Sequence, residues 1–371
     1  MPELLSRTAS RTSPIDLNRN AASKLNLYSL RRLELLLGVS REELKTLAGQ
    51  SGAHYKPFPQ LPKPQPFARI FKVQKLRNID NPDDELKRVQ KRIYRRLLRP
   101  LVLPHYICGG VPGRSLMDNV RLHHNSRILV TIDIKSFFPS ISNFQIFFVW
   151  RHVLNCSTEI ADLLTKLTTW RGYLPQGAST STPLANIVIC SMYRHIQNEC
   201  ERLGILYSTW IDDLAFSGER AREIIPVVIS VLQKNGFKIS RKKLRVMGGG
   251  SRKVLNGVVL GKFPSVRRER ESQIRSGIHK HVSGAVAEED ICRYLKSLNA
   301  KIMNIETINA MRGAKLRKAF SEALTRRPVP RSRWQELGFV YPKAAFPNSR
   351  SCGPENVRAP ASGAAALFPK R

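Results

Sequence analysis

Leucines at 27, 30, 33, 36 and 37 recur at helical spacing, and Gly38 is placed to end the helix they predict. Ser40 with Glu43 has the form of a capping box and predicts a second helix through Leu47. Prolines 57, 59, 62, 64 and 66 exclude a continuous helix over His54 to Phe67 and predict an extended connector. From Arg69 the pattern is strand-like, with Ile70, Lys72 and Val73, then Arg77 and Ile79. Asn81-Pro82 reads as the opening of a helix whose apolar face is Leu86, Val89, Ile93 and Leu97. Ile128 to Ile134 is a buried strand carrying Asp133, and Thr182-Pro183 starts a helix to about Leu203. Leu206 to Ser217 is a hairpin with Asp212 and Asp213 at its turn, Ile224 to Gly236 a helix, and Val254 to Leu260 a strand. Strands interleaved with helices around a sheet indicate an α/β or α+β architecture. The chain beyond Arg267 is helical and basic, and beyond Thr325 it is rich in Pro, Ala, Ser and Arg, as a loosely ordered tail would be.

Charge sharpens this picture. The 371 residues include 62 Lys and Arg against 28 Asp and Glu, a formal net charge of +34, which draws polyanions and nucleic acid above all. The helix after Pro82 carries Lys87, Arg88, Lys91, Arg92, Arg95 and Arg96 opposite its apolar face, a solvated surface or a phosphate-facing stripe. Six scattered cysteines show no zinc-like spacing and read as reduced thiols. With no apolar run long enough for a bilayer, a cytoplasmic protein acting away from membranes is expected.

Two segments set carboxylates among strand-forming apolar residues, where unpaired charge is costly: Thr131 to Phe138 with Asp133, and Thr209 to Phe216 with Asp212 and Asp213. Magnesium suits such oxygen donors and takes only one or two protein carboxylates. Strands lying side by side would present Asp133 and Asp212 to a common pair of ions, able to activate a hydroxyl and stabilise a leaving pyrophosphate. A polar hairpin turn is the plain alternative for an isolated Asp-Asp. A third segment, Leu174 to Asn186, has a tight turn at Gln176-Gly177 and a Ser/Thr run leading into a helix.

Asp133 with Phe138 five residues on, the Leu-Pro-Gln-Gly loop and the aromatic-x-Asp-Asp hairpin stand in the order found in reverse transcriptases. Arg77-x-Ile79-x-x-Pro82 resembles the fingers strand upstream, and Gly236 to Lys243 resembles the lysine-bearing element downstream. Together these span about residues 65 to 265, with a thumb-like continuation to about 325. Within the family the chain is most similar to the retron enzymes. Asn119-Val-Arg-Leu-His123 resembles their Asn-Ala-x-x-His element, Phe137 to Ile141 their Phe-Phe-x-Ser-Ile, and Leu255-Asn-Gly257 their Val-Thr-Gly.

The resemblance implies an α+β, right-hand polymerase with an N-terminal helical extension. Its expected parts are a flexible start and helices (1–52), fingers (53–120), palm (121–265, with a fingers insertion about 144–180), thumb (266–325) and tail (326–371). Asp133, Asp212 and Asp213, with the Ile134 carbonyl, would hold two Mg2+ ions, the alternative for Asp213 being support of the hairpin or of the second ion alone. Phe138 would be a steric gate against ribonucleotides, or simply packing. Gln176, Gly177 and Trp210 would meet the incoming nucleotide and primer end, with Arg77 and Lys72 on the triphosphate. Lys243, or Lys242 by a shift of register, would protonate pyrophosphate. Asn119, Asn256, Arg267 and Arg268 would contact RNA, while for His123 RNA contact and packing stand level.

Implied partners are a structured noncoding RNA serving as template and primer, deoxynucleoside triphosphates, the RNA–DNA hybrid product and an effector protein, in antiphage defence. Trp210 stands where the family has Tyr, Ser179 and Thr182 replace prolines, and Asn256 replaces Thr. The rival readings are another bacterial reverse transcriptase, group II intron-related or of the abortive-infection type, and an RNA-binding protein that kept the fold without the activity.

Overall fold

A computed structural model describes residues 24–60, 77–261 and 263–329. The chain divides into two compact units, one ending at Arg267 and the other starting at Arg268.

The first unit opens with α1 (Leu30–Leu37), which Gly38 ends in the left-handed conformation (φ 60°), donating its N–H to the Glu34 carbonyl. In α2 (Arg41–Gly49), the Ser40 hydroxyl accepts the Glu43 N–H. The Glu43 carboxylate turns to Arg88 instead of completing the capping box. Leu27, Leu33, Leu44 and Leu47 enter the same hydrophobic core as the rest of the unit, so this extension is part of one folding body.

The proline-rich stretch is not only a connector. β1 (Tyr55–Gln60) pairs antiparallel with β2 (Arg77–Pro82), Pro57 opposite Asp80 and Pro59 opposite Asn78. A two-stranded sheet has only edges, where a residue without an N–H is tolerated. Pro82 therefore closes a strand where a helix start was expected. The next helix, α3 (Asp84–Ile93), begins after Asp83, whose side chain accepts the Leu86 N–H.

The functional framework is a four-stranded antiparallel sheet in the order β4-β5-β3-β6, built from β3 (Leu129–Asp133), β4 (Leu206–Trp210), β5 (Asp213–Ser217) and β6 (Arg245–Met247). The short β6, pairing with β3, had no distinct periodicity in the sequence. The helices that follow α3 are α4 (Leu116–His123), α5 (Phe137–Ser140), α6 (Asn143–Phe148), α7 (Thr158–Thr168), α8 (Ser181–Arg202) and α9 (Ile224–Lys234); α4, α8 and α9 supply apolar faces to the sheet's core, with Phe216 and Phe237 fully buried. Val254 to Leu260, expected as one strand, is a hairpin: β7 (Lys253–Leu255) turns at Asn256 and Gly257, both at positive φ, into β8 (Val258–Leu260). Asn-Gly is the favoured dipeptide for such a two-residue turn. β9 (Ser265–Val266) completes that sheet.

The second unit contains α10 (Arg268–Val282), α11 (Ile291–Ile308) and α12 (Ala310–Arg326). Gly313 lets α12 approach the end of α11, because a Cβ there would lie 2.7 Å from the Glu306 nitrogen. Among the described residues every sheet is antiparallel and the second unit is helical, so the fold is α+β.

Candidate active site

The carboxylates meet because of strand register. β3 and β5 pair antiparallel with Asp133 directly opposite Asp213, and Trp210 at the end of β4 faces Asp213 from the other side. Asp212 occupies the β4–β5 turn, and its carbonyl accepts the Ile134 N–H at 3.0 Å. On the other flank, the Asp133 carbonyl accepts the Ser240 N–H at 2.8 Å. That contact fixes the turn bearing Lys243, whose ammonium pairs with the Asp133 carboxylate.

This end of the sheet stores backbone strain. Ile211 in the hairpin turn has φ 60°, and Ser136, just past Asp133, has φ 50°. The left-handed region is poorly suited to a β-branched residue, and such conformations persist only where surroundings over-determine them. Gly109 provides part of that determination. A Cβ on it would lie 2.5 Å from the Ile211 nitrogen and 2.9 Å from its Cγ1, so glycine is what allows this segment against the turn. The segment is fixed in turn by the Cys108 N–H on the Thr209 carbonyl (2.9 Å) and by the Asn186 amide on the Gly109 carbonyl (2.9 Å).

Burial, then the neighbouring charges of Asp212 and Asp133, push the Asp213 carboxyl up to about 6, with Lys243 opposing the shift. Lys243 is itself held above the usual ammonium range, chiefly by its hydrogen bond to Asp133. Like-charged carboxylates in a half-dry setting call for a cation. Among the described residues no group of three or more His, Cys, Asp or Glu forms a ready-made metal cage. An all-oxygen set of few carboxylates fits a hard divalent ion that keeps water or phosphate oxygens in its remaining positions.

The Leu-Pro-Gln-Gly loop is anchored by Asp80. The Gln176 N–H donates to the Asp80 carboxylate at 3.0 Å, and the Asp80 N–H donates to the Gln176 carbonyl at 2.8 Å. Burial raises the Asp80 pKa, against the Gln176 contact. Gly177 (φ 136°) lies against this strand, since a Cβ would sit 2.9 Å from Ile79 Cγ2. An acidic residue inside a strand pattern was the available signal for Asp80. Phe138 is half-buried in a short helical turn, α5 (Phe137–Ser140), its ring 5.5 Å from that of Phe137. Lys72 lies outside the described residues, and Arg77 is described only as the first backbone position of β2.

Asn119, expected on RNA, is instead interior, and of the two readings of His123 the structure shows packing. His123 is 0% exposed, with Nδ1 at 2.6 Å from the Ser217 hydroxyl and Nε2 at 2.7 Å from that of Ser208. Ser208 donates to the Asn119 side-chain oxygen, and Ser126 donates to Ser217 at 2.8 Å. Ser208 lies on β4 and Ser217 on β5, so His123 braces the two strands of the aspartate hairpin. With Ser208 donating to Asn119, Nε2 must carry the ring proton and Nδ1 must accept from Ser217. Burial moves the His123 pKa down to about 4, keeping the ring neutral. Asn256 is half-buried in its turn, while Arg267 and Arg268 are exposed on either side of the division between units.

The reverse transcriptase (RNA-dependent DNA polymerase) family profile matches residues 61–295, well over half of the chain. Similar characterised proteins include the Retron Ec86 reverse transcriptase of Escherichia coli, 29% identical over 59% of this chain and 72% of its own. The Retron Se72 reverse transcriptase of Salmonella heidelberg is 26% identical over 59% of this chain and 57% of its own. The Retron Mx162 reverse transcriptase of Myxococcus xanthus is 28% identical over 57% of this chain and 51% of its own. The matches thus span between half and three quarters of these relatives. The chain belongs to the reverse transcriptase family, with the right-hand polymerase fold, and within that family it is of the retron type.

Proposed function

We propose that this protein copies a structured noncoding RNA into DNA, starting from a hydroxyl of the RNA itself and yielding a branched RNA–DNA product that serves antiphage defence. The reading is carried by one observation: Asp133 and Asp213 face each other in register beside Asp212, with Lys243 reaching into the same cluster. Asp133, Asp212, Asp213 and the Ile134 carbonyl would hold two magnesium ions, which when bound supply activation of the primer hydroxyl and neutralisation of phosphate charge. The protein's own groups do the rest. Gln176 and Gly177 position the incoming deoxynucleoside triphosphate, Arg77 and Lys72 grip its phosphates, and Phe138 excludes a ribose 2′-hydroxyl. Lys243 gives a proton to the departing pyrophosphate. Trp210 supports the primer end, and Asn256, Arg267 and Arg268 hold the RNA or the growing hybrid. An effector protein would act outside this site.

The test is to purify the protein with its associated RNA and add magnesium and deoxynucleotides without any other primer. The expected product is DNA covalently joined to that RNA, keeping after ribonuclease digestion the branch ribonucleotide, whose substituted 2′-hydroxyl cannot attack the neighbouring phosphate. RNA binding without DNA synthesis would instead mark a polymerase fold retained for binding. Extension only from a supplied free primer end would point to another bacterial type.

A further inference from the structure

Two ties hold the approach to Gln176 and Gly177. The Leu174 N–H donates to the Ile141 carbonyl at 2.9 Å, and the Ser181 hydroxyl donates to the Pro175 carbonyl at 2.6 Å. The loop's tip is held from another element altogether. Asp80 on β2 meets the Gln176 backbone twice, once through its carboxylate and once through its own N–H. A strand position that only had to pack would take an apolar side chain. Asp80 is 6% exposed, so its carboxylate carries a desolvation cost that the charge-assisted bond from the Gln176 N–H offsets. Gly177 makes the approach closer still, since a Cβ there would lie 3.1 Å from the Asp80 carbonyl oxygen. Arg77, three residues before Asp80, begins the same strand. One short strand thus joins the residue assigned to the phosphates with the loop assigned to the rest of the nucleotide.

We propose that Asp80 is a positioning residue for the incoming deoxynucleotide: it keeps the Gln176–Gly177 backbone in its binding geometry and so sets nucleotide affinity without touching the nucleotide. The proposal rests on the reading of Gln176 and Gly177 as nucleotide contacts. Its physical basis is preorganisation, because a loop that adopts the competent geometry about a tenth of the time binds about tenfold more weakly. The tie runs through backbone atoms and has no means of telling one base from another. The aspartate cluster has its own supports, through Ile134, Ser240 and Gly109, so the chemical step is left alone.

Steady-state kinetics on a supplied RNA template and DNA primer test this, with each of the four deoxynucleotides varied in turn. In Asp80→Ala, KM is expected to rise about tenfold for all four, with kcat within about threefold of wild type. Asp80→Asn keeps an oxygen able to accept the Gln176 N–H, and its KM should stay within about threefold of wild type. A residue needed only for folding would instead lower the active fraction, which reduces kcat and leaves KM alone. Asp80→Ser, whose shorter side chain withdraws the acceptor, carries the same expectations as alanine if alanine fails to fold. Amide hydrogen exchange adds a readout that needs no synthesis: residues 174–178 should exchange faster in Asp80→Ala, while 129–133 and 206–217 match wild type. A KM rise confined to one base, or a fall in kcat alone, would overturn the proposal. Unchanged exchange at 174–178 would overturn the tie itself, whereas faster exchange with unchanged KM would overturn the assignment of Gln176 and Gly177 to the nucleotide.

Discussion

At Asp213, burial and the charges of Asp212 and Asp133 act in the same direction, and the carboxyl titrates near 6 instead of its ordinary 3.8. A carboxyl whose pKa rises on folding stabilises the fold while it is protonated. That contribution is complete below about 4 and is lost as pH rises through about 6. In EDTA, wild-type melting temperature should therefore fall between pH 4 and 7 relative to Asp213→Asn. At pH 7 the variant should melt higher by roughly 2 °C, and near pH 4 the two should converge. Parallel pH profiles in differential scanning fluorimetry would contradict this account of the cluster. His123 shows the opposite solution to burial: a neutral ring whose two nitrogens both meet serine hydroxyls.

Among the elements, the β4–β5 hairpin decides where the carboxylates stand, and Gly109 decides whether its turn can form. Gly109→Ala would drive a methyl to 2.5 Å from the Ile211 nitrogen, and the neighbour it meets is backbone. We expect DNA synthesis to drop about 100-fold, the effect of roughly an ångström of misplacement, with helical content retained by circular dichroism. Near-normal synthesis would show that the turn tolerates the shift. This need was not legible in the sequence, because it arises from a contact between segments 100 residues apart. The hairpin itself was legible, since apolar alternation ends at two aspartates. Asn256-Gly257 is an equally local turn signal, hidden because apolar residues flank it on both sides as they would in one continuous strand. Pro82 misled in another way: Asp83, one residue later, is the better helix cap. The His123 brace shared its motif with a presumed RNA contact, and only the packing of α4 under the hairpin separates them.

For the whole molecule, the order of elements and the position of the aspartates could be read from one chain, because strand and helix periods are local. Which surfaces meet phosphate could not, since a basic helix face looks alike whether solvated or bound. The formal charge of +34 gives a collective property that can be measured. RNA affinity should fall by about 10³ or more between 50 and 200 mM salt, as counterion release from six or more phosphate contacts requires. A shallow salt dependence in filter binding would mean that few of these cations touch the RNA backbone.

The central claim is that the aspartates brought together by β3 and the β4–β5 hairpin perform the chemistry and do not hold the RNA. Asp212→Asn, assayed side by side for deoxynucleotide incorporation and for RNA affinity, tests it most directly. The account predicts loss of incorporation by at least about 10³ with RNA affinity within about threefold of wild type. Retained incorporation, or equal loss of both properties, would contradict it.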